Sequence, residues 1–275
     1  MLDIEGLSLS PADRDLLREP AVGGVILFTR NYESPEQIAD LVDEIRALRS
    51  PPLLVAVDHE GGRVQRFRDG FTAIPPMRFI GREFDRNPES GLQAARQAGW
   101  LIASELRAVG VDLCFAPCVD LDWGISEIIG NRSFHRKADA VADLSNAFAR
   151  GLRSAGMAAV AKHFPGHGAV IADSHLKLPV DRRDYGIVLD DMRPYERLVN
   201  NGAIAGVILF FTAFAAAAGP LAMAVVSDIS GNIRYGFILA TGFALLLFLG
   251  LVWNKIAAPA RSRLALSGTD QALQG

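Results

Sequence analysis

Five short apolar runs, set between stretches of helical periodicity, restrict roughly the first 200 residues to a small set of folds. They are GGVILF at 23–28, LLVAVD at 53–58, DLCFAP at 112–117, AAVAKHF at 158–164 and AGVILF at 205–210. Runs this short and this apolar suit parallel strands covered on both faces. Between the first two, Ser34, Pro35 and Gln37 supply a capping box with proline at the first helical position, and Ile38, Leu41, Val42, Ile45 and Leu48 recur at helical spacing. Val141, Leu144, Phe148 and Leu152 repeat the pattern later. Alternation at this interval predicts an α/β fold, either a (β/α) barrel or an open doubly wound sheet. No dinucleotide-type glycine fingerprint follows the first run, which favours a TIM-type barrel.

The chain then changes character. No charged residue lies between Arg197 and Asp228, and YGFILATGFALLLFLGLVW at 235–253 is again free of charge, bounded by Arg234 and Lys255. At about 1.5 Å per residue, each stretch is long enough for a hydrocarbon core of about 30 Å. The expected organisation is a partial TIM-type barrel over 1–207, a two-helix transmembrane hairpin over 208–254 and a basic and polar tail over 255–275. Lys255, Arg261 and Arg263 follow the second span and put the C-terminus in the cytoplasm. Two spans return the N-terminal domain to that side, so the expectation is a cytoplasmic domain tethered to the inner face of the cell membrane.

Composition removes several function classes. A net charge of −3 offers no basic field for nucleic acid. Cys114 and Cys118 are the only cysteines, too few for a disulfide framework, and fit a reducing compartment. The acidic N-terminus carries no secretory signal pattern. Neither a cofactor nor a metal is expected.

In a barrel the functional groups lie just past the C-terminal strand ends, and polar clusters fall there. The second run ends in DHEGGRVQRFRDG, which puts Asp58 at the rim, lets the glycine pair turn the chain, and brings Arg63 and Arg66 back over the opening. A carboxylate beside guanidinium donors suits a hydroxyl-rich or anionic ligand, although a rim salt bridge has the same residues. Arg132 in GNRSF converges from the next strand, or is a solvated surface arginine. Lys162 and His163 end the fourth run, and Pro165, Gly166 and Gly168 open an irregular loop that leads to Asp173 and His175. A histidine beside a carboxylate can donate and recover a proton near neutrality, which makes Asp173 and His175 an acid/base pair. His163, His167, Asp173 and His175 could also ligate a metal, but proline and glycine split the first two, so their convergence is not automatic. Hydrogen-bonded structural histidines are the remaining reading.

MLDIEG, GGVILFTRNY, VAVDHEGGRVQRF, NRSF and AKHFPGHGAVIADSH occur in that order and closely resemble bacterial β-N-acetylhexosaminidases of glycoside hydrolase family 3 over about residues 1–207. The resemblance implies a TIM-type barrel and a retaining hydrolase that removes terminal N-acetylglucosamine from muropeptides or oligosaccharides during cytoplasmic peptidoglycan recycling. It matches Asp58, Arg66, Arg132, Lys162 and His163 to sugar-binding positions, and His175 to the proton donor with Asp173 as its partner. The family's nucleophilic aspartate follows the sixth strand, and no counterpart is found; Asp228 in VVSDIS is a poor substitute between two apolar spans. Hydrolysis is therefore expected to be impaired. The tail from Gly219 to Trp253 is similar to the last two helices of a major facilitator superfamily transporter. The alternative expectation is a membrane-anchored, non-catalytic or vestigial sugar-binding protein, or a transporter-fusion remnant.

Overall fold

Helix starts are written locally. Ser10 Oγ accepts the Asp13 amide while the Asp13 carboxylate accepts the Ser10 amide, a complete capping box for α1 (Pro11–Arg18). For α2 (Pro35–Ala47), Ser34 Oγ accepts the Gln37 amide as expected, but the Gln37 side chain accepts from the Glu33 amide instead of closing the box on Ser34. Ile38, Leu41, Val42 and Ile45 are the buried stripe of α2. The computed structural model describes residues 1–170 and 183–202.

The apolar runs form strands shorter than the runs themselves. They are β1 (Gly24–Leu27), β2 (Leu54–Val57), the short β3 (His59–Gly61) and β4 (Val64–Gln65), then β5 (Leu113–Cys114) and β6 (Ala158–Ala159). A parallel sheet runs β1-β2-β5-β6, with Val25 opposite Val55, Val57 opposite Cys114, and Cys114 opposite Ala159. This order never reverses, as in a barrel wall, and so it lacks the switch point of a doubly wound sheet. The expected strand at 205–210 and both apolar spans lie outside the described residues.

Four further helices complete the described fold: α3 (Met77–Arg86), α4 (Pro88–Ala108), α5 (Ala138–Ser154) and α6 (Tyr185–Asn200). Val141, Leu144, Phe148 and Leu152 are the buried stripe of α5, as their spacing predicts. The crossing of α4 and α5 is backbone against backbone. A Cβ on Gly99 would sit 2.2 Å from the Phe148 carbonyl oxygen, and one on Gly151 would sit 2.1 Å from that of Arg96. Among the described residues no helix is long and apolar enough to cross a membrane.

One core residue makes stability pH-dependent. His59 is buried against Phe67 and Phe71, with ring centroids 5.7 and 5.6 Å away, and its Nδ1 has no hydrogen-bond partner among the described residues. Burial, reinforced by the Arg68 and Arg66 charges, pushes its pKa down to about 3. The imidazole is thus neutral when folded and gains a proton on unfolding below its ordinary pKa of 6.5. Its contribution is intact above that value and falls as the pH drops toward 3. Urea unfolding at pH 7.5 and 5.5 is expected to show His59→Phe losing about 1.4 kcal/mol less than wild type over that interval. Equal losses in the two proteins would refute the assignment.

Candidate active site

Two glycines turn the chain directly after β2. Gly61 and Gly62 have φ of 96° and 54°, and the turn leads into Arg63 and β4. Asp58 is the first residue past β2, and Glu60, two residues later on the same side of extended chain, is the last side chain before the turn. Across the sheet, pairing continues irregularly beyond β5 and β6. The Lys162 amide donates to the Pro117 carbonyl and the Val119 amide donates to the Lys162 carbonyl. This brings Asp120, Lys162 and His163 level with Asp58 and Glu60.

Glu60 is the hub of the resulting network. It is 2% exposed and accepts the Arg132 guanidinium in a bidentate pair, Nε to Oε2 at 2.9 Å and Nη2 to Oε1 at 2.7 Å. Lys162 Nζ reaches Glu60 Oε1 at 2.5 Å and also pairs with Asp58. Burial alone would raise the Glu60 carboxyl, but Lys162 and Arg132 outweigh it and hold the pKa at about 2. Burial likewise opposes charge on Lys162, yet Glu60 and Asp58 raise its pKa above the ordinary value. The ammonium and the Glu60 carboxylate are charged at neutral pH. Asp58 and His163 are the more open members, with side chains 22% exposed.

His163 has a defined tautomer. Arg132 Nη2 lies 3.2 Å from His163 Nε2, and a guanidinium can only donate, so Nε2 accepts and the proton sits on Nδ1. That proton is donated to Asp120 Oδ2 at 2.6 Å. Asp120, 1% exposed, also accepts the His163 amide at 3.2 Å and the His167 amide at 2.6 Å. Burial would raise its pKa, but its contacts with His163, with the His167 amide and with the Cys118 thiol outweigh burial and lower it. Cys118, Asp120 and His163 offer donor atoms within 4.8 Å of one another, but this set is already hydrogen-bonded to itself.

The structure thus joins four of the sequence-predicted residues, Asp58, Arg132, Lys162 and His163, through two that sequence reasoning missed. The signals that could have found them are the two-residue offset of Glu60 from Asp58 and the place of Asp120 just past the third apolar run. Arg66 stands apart, with its guanidinium 5.8 Å from the Phe28 ring centroid and its buried Nε without a hydrogen-bond partner among the described residues. Arg63 does not lean over the opening. It donates to the carbonyls of Glu127 and Ile128 and clamps the loop that carries Arg132. The rings of His163 and His167 do converge, 5.9 Å apart and edge to face. Asp173 and His175 lie outside the described residues.

The sequence profile of the glycosyl hydrolase family 3 N terminal domain matches residues 2–216. The chain belongs to that family. The beta-hexosaminidase of Thioalkalivibrio sulfidiphilus is 57% identical over 208 residues, which are 76% of this chain and 60% of the relative. NagZ from Neisseria gonorrhoeae, solved in complex with N-trifluoroacetyl-D-glucosamine, superposes with a TM-score of 0.71 at 47% identity, covering 73% of this chain and 60% of that one. A family 3 β-N-acetylglucosaminidase from a Paenibacillus gives a TM-score of 0.68 at 36% identity, over 73% of this chain and 38% of its own. The chain thus spans about 60% of the length of its hexosaminidase relatives. Family 3 membership agrees with the motif resemblance. The expected tether at the inner face of a membrane is corrected: its similarity is to NagZ-type hydrolases, and no described helix can cross a bilayer. Nothing in these matches supports a transporter-like tail.

Proposed function

We propose that this chain is a β-N-acetylhexosaminidase-type glycoside hydrolase that binds a terminal N-acetylglucosamine of peptidoglycan fragments at the strand-end network. The observation that carries this reading is the charged, hydrogen-bonded set Asp58, Glu60, Lys162, Arg132 and His163 in a family 3 fold. In that reading Asp58 and Lys162 face the sugar hydroxyls, Arg132 and His163 are fixed by Glu60 and Asp120, and Arg66 adds a donor. Each hydroxyl then meets a directional, charge-assisted partner whose geometry is set before binding.

His175, with Asp173 as its partner, protonates the glycosidic oxygen, a role histidine's ordinary pKa suits. A retaining reaction also needs a carboxylate to attack the anomeric carbon. Among the described residues Asp58, Glu60 and Asp120 are all committed to cationic or N–H partners, so none serves as that nucleophile. The described network therefore supplies binding and orientation in this reading and no nucleophile of its own.

Release of nitrophenol from an aryl N-acetyl-β-glucosaminide tests this. Expected is a slow release, about 100-fold or more below a common enzymatic turnover of about 10 per second, that disappears in His175→Ala. Release that survives His175→Ala would overturn the assignment of the proton donor.

A further inference from the structure

The hydrogen bonds that close Cys118, Asp120 and His163 on one another are those of a protonated ligand set. A thiol, a carboxylate and an imidazole stand with their donor atoms within 4.8 Å of one another. Both protons point at one atom: Cys118 Sγ lies 3.2 Å and His163 Nδ1 2.6 Å from Asp120 Oδ2. The other carboxylate oxygen, Oδ1, accepts the His167 amide at 2.6 Å, which fixes the direction in which Oδ2 faces. Cys118 and Asp120 are each 1% exposed, whereas the His163 side chain is 22% exposed and gives a way in from the strand-end opening.

Beside this set lies an imidazole whose ring takes no part in the network. His167 is 8% exposed, and its ring centroid is 5.9 Å from that of His163. Both of its ring nitrogens are buried without a hydrogen-bond partner among the described residues. Buried polar atoms are paired with few exceptions, and an exception beside three donors of metal-binding type points to an ion.

The geometry points to a Zn²⁺ site in which Cys118, Asp120 and His163 are ligands and the His167 ring turns in as the fourth. A closed set with a thiolate and imidazoles suits zinc, whereas Mg²⁺ and Ca²⁺ take oxygen. Tetrahedral zinc, about 2.0–2.3 Å from each donor, sets the donors about 3.3–3.5 Å apart. The sulfur and the carboxylate stand close to that already, and the imidazole, the most open of the three, withdraws by less than about 1 Å. Binding sends the thiol proton to solvent and moves the imidazole proton from Nδ1 to Nε2. Nε2 then no longer accepts from Arg132 Nη2, 3.2 Å away, so the metal and the sugar oppose one another. That antagonism rests on the reading of the network as a sugar site; the metal site does not.

Calorimetric titration of the full chain with ZnCl₂, in the absence of sugar, is the test. One Zn²⁺ per chain is expected, bound at least about 100-fold more weakly by Cys118→Ser, which keeps a donor toward Asp120 but loses the sulfur. With Co²⁺ in place of Zn²⁺, a sulfur-to-metal charge-transfer band is expected in wild type and in Cys114→Ser, which lacks the chain's other cysteine. Where Cys118→Ser does not fold, retention of the band in Cys114→Ser still assigns it to Cys118. No saturable Zn²⁺ binding by folded wild type, no sulfur band, or equal Zn²⁺ affinity in a folded Cys118→Ser overturns the site. Zn²⁺ is also expected to weaken N-acetylglucosamine affinity at least about tenfold in wild type and not in Cys118→Ser. Zn²⁺ bound through Cys118 with sugar affinity unaltered would uphold the metal site and remove His163 from sugar recognition.

Discussion

Glu60→Ala is expected to lower the free energy of unfolding by about 3–5 kcal/mol, because it leaves a buried guanidinium and a buried ammonium without their shared counter-charge. Glu60 is 2% exposed, and Lys162 only 5%, so water cannot replace the lost partner without opening the site. The effect has a pH signature of definite sign. The Glu60 carboxyl is held at about 2, below its ordinary 4.5, so its contribution is complete above pH 4.5 and vanishes as the pH falls through 2. The gap between wild type and variant should therefore be widest near neutrality and close in acid. Urea unfolding at pH 7 measures it, and a difference under about 1 kcal/mol would mean that Glu60 is not the hub described.

The second large effect is on the ligand. Lys162→Met preserves side-chain length but removes the ammonium that pairs with both Asp58 and Glu60. Asp58 is then no longer held toward the opening. N-acetylglucosamine affinity is expected to fall at least about 100-fold, equivalent to about 2.7 kcal/mol. The upward shift in melting temperature that the sugar gives wild type should disappear with it. A variant that stays folded and is stabilised by the sugar as strongly as wild type would show that the ammonium takes no part in recognition.

Much of the fold was legible because its signals are local. The apolar runs located four of the described strands, and the stripes Ile38 to Ile45 and Val141 to Leu152 located two helices by period alone. What the period could not show was how far pairing extends. Only Leu113–Cys114 and Ala158–Ala159 pair regularly in β5 and β6, because the chain beyond each bends to present side chains at the strand ends. The site was legible where residue type and strand end coincided, at Asp58, Lys162 and His163. Glu60 and Asp120 escaped because they act on other side chains across the sheet, over sequence separations of 72 residues to Arg132 and 43 to His163. Arg63 was misplaced for the same reason, since its targets are backbone carbonyls 64 and 65 residues away.

The central claim is that the buried charged network at the strand ends is an N-acetylglucosamine site. Calorimetric titration of the full chain with N-acetyl-D-glucosamine, with D-glucose alongside, tests it most directly. Saturable binding at one site per chain for the N-acetyl sugar, with far weaker binding of glucose, is the expected result. Absence of saturable heat from folded protein, or equal binding of the two sugars, would contradict it.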